Sequence, residues 1–170
     1  MLSPSWVFDV ADAHELARHS EVVVDVEVVS VADRGVFLSP GDPYPYTAIQ
    51  VRAVDTIKGN TDKVPEFSVY IAGGTVTLQQ VFEASTKETN EKRGLTNLTQ
   101  AEREKLTETY AIERAYATLS AGTRYVLALN HAEDGSYLVN GAGYGVFSVD
   151  GDKIVNVATT SSHKREDLAG

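Results

Sequence analysis

The chain has 170 residues, 42% hydrophobic and 23% charged, with no cysteine and a formal net charge of −9. That length favours one hydrophobic core, that composition excludes a disordered chain, and the missing cysteines exclude a disulfide framework, a thiolate metal site and a cysteine nucleophile together. The acid excess lies in the strand-forming regions, with nine acids against four bases in residues 1–58, four against one in 131–158, and five against five in 83–105, so the surface repels phosphate backbones and anionic lipid and nucleic acid is not an expected partner.

Near the start, Trp6-Val7-Phe8 is too short an apolar run for a membrane span or a signal-peptide core. An exported or envelope-attached protein whose targeting segment has been removed is the expectation for localisation. Asp9 to His19 reads as a short helix capped by Asp9 or Asp12, with Val10, Ala13, Leu16 and Ala17 forming its apolar face. In Glu21 to Val31, Val22, Val24, Val26 and Val28 alternate with Val23, Asp25 and Glu27, which predicts a strand with one buried face and one partly wet face. The phase slips to Val29 and Val31, predicting a β-bulge or a bend at a barrel corner.

Gly35 to Pro45 is a Pro/Gly-rich loop. Thr47 to Ile57 alternates again, with Ile49, Val51 and Ala53 on one face, and Lys58-Gly59-Asn60 ends it. Phe67, Val69 and Ile71 form a third strand closed by Gly73-Gly74; Val76, Leu78 and Val81-Phe82 suggest a fourth. From Glu83 the apolar content falls, and 83–118 reads as a polar, helical insertion outside the core. Within it Thr99-Gln100-Ala101-Glu102 is a capping box that predicts a helix from about Gln100 to Leu119. The remainder reads as a β-meander over Arg124–Leu129, Tyr137–Asn140, Tyr144–Val149 and Lys153–Val157, with Asp134-Gly135 and Asp150-Gly151 as hairpin turns. A single domain over 1–158 is expected, followed by a polar tail, 159–170, that frays.

Few constellations carry chemistry. The four histidines, His14, His19, His131 and His163, lack metal-ligand spacing, so neither a metal nor another cofactor is expected. Asn140-Gly141-Ala142-Gly143-Tyr144-Gly145 has the look of a dinucleotide loop, but it joins two strands with no crossover helix, so a glycine-rich hairpin or bulge is the better reading. A ligand approaching the backbone at Gly141, Gly143 and Tyr144 is its functional alternative. Asp25 and Glu27 share a strand face, about 7 Å apart; such a pair could serve acid–base hydrolysis, whereas a solvated face, or cross-strand pairing with Arg52, accounts for them without chemistry. Tyr44 and Tyr46 stand in the Pro/Gly-rich loop, where rigid aromatics could anchor a partner. No catalytic residue is assigned.

The order of these elements resembles the netrin-like modules. The residues that carry the likeness are the helix ending in His19-Ser20, the valine strand Glu21–Val31, and Tyr46 to Gly59 with its terminal Lys58-Gly59. A Gly-ended strand and Leu119-Ser-Ala-Gly-Thr-Arg-Tyr-Val-Leu-Ala-Leu129 complete it. The likeness covers about 12–150 and extends to bacterial exported proteins of unassigned function. It implies an OB-like barrel. The netrin-like group includes the tissue inhibitors of metalloproteinases, whose inhibitory residue is an N-terminal cysteine; with no cysteine here, that activity transfers to no residue of this chain.

The expected architecture is therefore mainly β: a partly closed, OB-like antiparallel barrel with a leading helix and a helical insertion. The expected function is a non-catalytic module that binds a protein or small ligand, with Tyr44, Tyr46, Asp25, Glu27, Arg52, Gly141, Gly143 and Tyr144 as candidate contacts. A carboxylate-dependent hydrolase and a binder of single-stranded nucleic acid are the alternatives.

Overall fold

The computed structural model describes residues 7–61, 65–111 and 119–170. Its first element, α1 (Ala13–Arg18), is capped by Asp12, whose carboxylate accepts from the amides of His14 and Glu15. The chain then enters β1 (Val22–Val31), which pairs antiparallel with β2 (Tyr46–Lys58) on one edge and with β6 (Arg124–His131) on the other. β2 pairs with β3 (Glu66–Ala72), β6 with β7 (Tyr137–Val139), and β3 closes on β7.

The result is a closed ring, β1-β2-β3-β7-β6, with the OB-like character predicted. It is closed rather than partly closed, and mixed rather than purely antiparallel. Strand direction cannot alternate all the way around a ring with an odd number of members, so one neighbouring pair must run parallel. Here that pair is β3–β7, with Val69 opposite Tyr137 and Tyr70 opposite Leu138.

Alternation fills the ring. Val22, Val24, Val26 and Val28 of β1 meet Ile49, Val51, Val69, Ile71, Leu127 and Leu129 in the barrel core. The register of β1 against β2 shifts three times, including between Val28 and Ser30, where the valine phase slips, and each shift bends the strand around the barrel.

The other face of β1 is partly wet, as the alternation predicts, but only from Glu27 onward; at Val23 and Asp25 it is buried. Val23 joins Leu16 and Ala17 of α1, Val126, Phe147, Ile154 and Leu168 in a second core outside the ring. That core is roofed by β8 (Val146–Asp150), β9 (Lys153–Asn156) and β10 (Ser162–Lys164), which continue the sheet beyond β6. The C-terminal residues therefore do not fray. β10 pairs with β9, the following 3-10 turn Arg165–Leu168 packs on α1, and Leu168 is fully buried.

The insertion also departs from expectation. Gly74–Thr77 (β4) pairs with Thr107–Tyr110 (β5). Leu78 and Val81-Phe82 belong not to a strand but to α2 (Leu78–Ala84), started by a Thr77/Gln80 capping box. α3 (Lys87–Lys92) and α4 (Gln100–Lys105) follow, the latter with the predicted Thr99/Glu102 box. The predicted helix thus stops at Lys105, because the Thr-rich stretch after Leu106 pairs with β4; of the rest of that prediction, 112–118 lie outside the described residues. Val76, Val81 and Leu95, with Phe37, Phe82 and Tyr110 around them, give the insertion a small core of its own. Among the described residues no helix is long and apolar enough to cross a membrane.

Candidate functional site

The eight candidate residues separate into two places. Asp25 and Glu27 do lie on one face of β1, but their surroundings differ. Glu27 stands opposite Arg52, which stands opposite Glu66 on the next strand. The guanidinium is 3.7 Å from Glu27 and 2.8 Å from Glu66, and all three side chains are about half exposed. Such pairs contribute little, of order 0–1 kcal/mol.

Asp25, by contrast, is completely buried and is not paired with Arg52, correcting the solvated-face reading. The Arg124 Nη2 donates to its Oδ2 at 2.5 Å, with Nε on Oδ1, and Arg165 donates from the C-terminal turn. The carboxylate holds the guanidinium of Arg124 above its ordinary pKa, chiefly by that hydrogen bond. With both oxygens occupied by guanidinium groups and its side chain shut off from solvent, Asp25 is built as a tie between barrel and C-terminal segment.

The glycine-rich stretch is packed against protein, not open to a ligand. β7 and β8 occupy successive lengths of the same edge of β6, so Gly141–Gly145 is a bulge-like detour between them and not a hairpin. It contains a 3-10 turn, Ala142–Gly145, entered through Gly141 at φ +75°. A Cβ at Gly141 would press on Leu16 and Val10, and one at Gly145 would collide with the Asn140 carbonyl. Gly143 is buried, and Tyr144 with Tyr44, Ala72 and Ala142 forms a small apolar cluster.

Tyr44 leads from that cluster to a groove. Its ring lies 5.6 Å from that of Tyr46, and Tyr46 begins β2 opposite Ala72. Since Ile49 and Val51 point into the barrel, Tyr46 points out; by the same alternation so do Tyr70 on β3 and Leu138 on β7. These three side chains floor a groove over the parallel β3–β7 seam. One wall is the β1–β2 loop, with Leu38, Ser39 and Asp42; the other is the β6–β7 turn, with Ala132, Glu133 and Asp134. Its volume is about 340 Å³.

The groove's polar groups are held in place by their turns. Asp42 accepts from the Ser39 amide at 2.8 Å. Asp134 accepts from both the hydroxyl and the amide of Ser136, and these bonds, the hydroxyl's first, hold its carboxyl below the usual aspartate range; a hydrogen bond from Tyr70 acts in the same direction. Burial, then the neighbouring Tyr44, raises the Tyr46 phenol, which therefore stays a protonated donor. Glu133 is exposed.

Of the groove residues, sequence reasoning had named only Tyr46. Asp134 was visible as a hairpin signal, and Tyr70 and Leu138 as strand residues, but nothing in the sequence brought β3 beside β7. A hollow of similar volume, about 350 Å³, lies between Val36–Pro40 and α2. Its Gln80 is committed to the Gly35 carbonyl and the Thr77 cap, so it offers fewer convergent polar groups. No set of three or more His, Asp or Glu that could hold a metal occurs among the described residues.

No protein-family model matches the chain, and no curated protein is similar to it.

Proposed function

We propose that the protein is a non-catalytic binding module, and that its ligand lies in the groove over the β3–β7 seam. The observation that carries this reading is the convergence there of segments distant in the chain. Outward tyrosines from β2 and β3, a leucine from β7, and carboxylates from two turns line one cleft. Mostly apolar clefts with a few fixed polar groups are the usual form of ligand sites, and about 340 Å³ stands near the lower end of their range.

The topology supports the same place by analogy. OB-type barrels bind against strands 2 and 3, between the loop joining strands 1 and 2 and the loop joining strands 4 and 5. Counted around this ring, those are the β1–β2 loop and the β6–β7 turn. Kinship with the netrin-like modules is the finer form of this proposal; the valine strand and the Lys58-Gly59 end of β2 support it.

Chemical-shift mapping tests the reading. The isotope-labelled chain is titrated with a panel of short peptides and oligosaccharides. Perturbations concentrated at Tyr46, Tyr70, Ala132–Asp134 and Leu138, abolished by Tyr70→Ala in a variant with an otherwise native spectrum, are the expected result. Saturable binding mapped to another surface would overturn it.

A further inference from the structure

We propose that the occupant of this groove is a basic peptide segment, with an arginine or lysine side chain lying along the Tyr46, Tyr70 and Leu138 floor and its charged end among Asp42, Glu133 and Asp134. The proposal rests on the binding reading above and names the ligand class.

Charge complementarity decides the class. The groove carries three carboxylates, and no lysine or arginine lines it among the described residues. A cleft of one sign between low-dielectric walls concentrates the potential and attracts the opposite charge. A neutral ligand such as an oligosaccharide can offer hydroxyl donors to these carboxylates but leaves three like charges uncompensated, whereas a guanidinium or ammonium replaces their hydration with charge-assisted hydrogen bonds and opposes the charge. Phosphate-bearing and other anionic ligands are repelled outright.

The floor suits the rest of such a side chain. Arginine and lysine carry an apolar stem that packs on hydrophobic surface while the head stays polar, and the face of a tyrosine ring attracts a cation. The receiving carboxylates are already oriented: Asp42 is fixed by the Ser39 amide and Asp134 by Ser136, so little order is lost on binding. The volume accommodates one or two residues of a peptide, the remainder running along the outer face of the barrel. The overall charge of −9 adds a long-range attraction for the same class of ligand.

The test uses the full chain, a capped tetra-arginine peptide and neutral maltohexaose, read by chemical shifts. The expected result is saturable binding of the peptide that weakens with salt and shifts Tyr46, Tyr70 and Ala132–Asp134. Glu133→Gln and Asp42→Asn should each weaken it about threefold to tenfold, and Glu133→Lys more, since each tenfold corresponds to about 1.4 kcal/mol. Glu133 is exposed, so its variants keep the test usable if Asp42→Asn perturbs the loop. Shifts scattered over the acidic surface and indifferent to Glu133→Lys would overturn the proposal. Groove shifts with maltohexaose and none with the peptide would overturn the occupant and leave the binding groove standing. Peptide bound saturably at another surface would remove both.

Discussion

The ammonium of Lys58 donates to the backbone carbonyl of Ala17 at 2.6 Å. The end of β2 thereby caps the last turn of α1, where carbonyls lack helical partners. Gly59 follows at φ +77°, in a space where any Cβ would collide with the Glu21 carbonyl. The Lys-Gly pair that ends β2 is thus also a joint between α1, β1 and β2.

Two variants separate its parts. Lys58→Met keeps the apolar stem and removes the donor, and should cost about 1.5 kcal/mol, the low end of the range for a hydrogen bond to a charged group, because the Ala17 carbonyl still accepts from the Ser20 amide at 3.2 Å. Gly59→Ala adds both a collision and an unfavourable φ, and should cost more, at least about 2 kcal/mol. Urea denaturation monitored by circular dichroism measures both. Equal costs would mean that the clash is relieved by movement of β1.

Asp25 ties Arg124 of β6 and Arg165 of the C-terminal turn into one network. Asp25→Asn retains the shape and removes the charge facing two guanidinium groups, and a broken buried pair costs about 3–5 kcal/mol. The Arg side chains are partly exposed, 43% and 28%, so water takes over some of their solvation and the lower end, about 3 kcal/mol, is expected. Arg165→Met should cost less in global stability, but hydrogen exchange should quicken selectively over Ser162–Leu168. Uniform acceleration along the chain would show that the segment is no separate unit.

The sequence was most informative where burial follows from local alternation. The valines of β1, the apolar face of α1 and the Asp150-Gly151 hairpin were all legible because each depends on residues near one another. Asp25 was misread because the cover over its face comes from Arg165 and Leu168, in a stretch polar enough to pass for a tail. The groove was illegible for a related reason. Its floor exists only because a five-membered ring closes through a parallel pair, a consequence of strand count and not of any motif. Leu106 to Tyr110 was misread because the capping box fixes where a helix begins and says nothing of where β-forming threonines take over.

Asp134 supplies a pH signature. Its folded carboxyl is held below the ordinary aspartate value by the Ser136 hydroxyl and amide. For a depressed carboxylate the stabilisation is complete above the unfolded value, near 3.9, and is lost as pH falls through the lower folded value. Ser136→Ala removes the hydroxyl's share, so the Asp134 titration should move up toward the ordinary value while the amide keeps part of the depression. Carboxyl-detected NMR titration of both proteins checks this, and an unchanged midpoint would assign the depression elsewhere.

Thr160 adopts φ +62° in the loop between β9 and β10, where its amide donates to the Asn156 carbonyl at 2.8 Å and the Asn156 amide donates to Ser161 at 2.9 Å. A β-branched residue in the left-handed region is strained by about 1–2 kcal/mol. Glycine removes that strain but gives back about 0.5–1 kcal/mol through the greater freedom of the unfolded chain, so Thr160→Gly should stabilise the protein by about 0.5–1 kcal/mol. The Thr160 hydroxyl donates to the Thr159 carbonyl at 2.6 Å, an exposed bond that water replaces at little cost. Thr160→Asn should give a comparable gain, because asparagine tolerates this backbone region and does not enlarge the unfolded ensemble as glycine does. Thermal unfolding of the three proteins measures the order, and a loss of stability in both variants would show that threonine makes a contact here worth more than its strain.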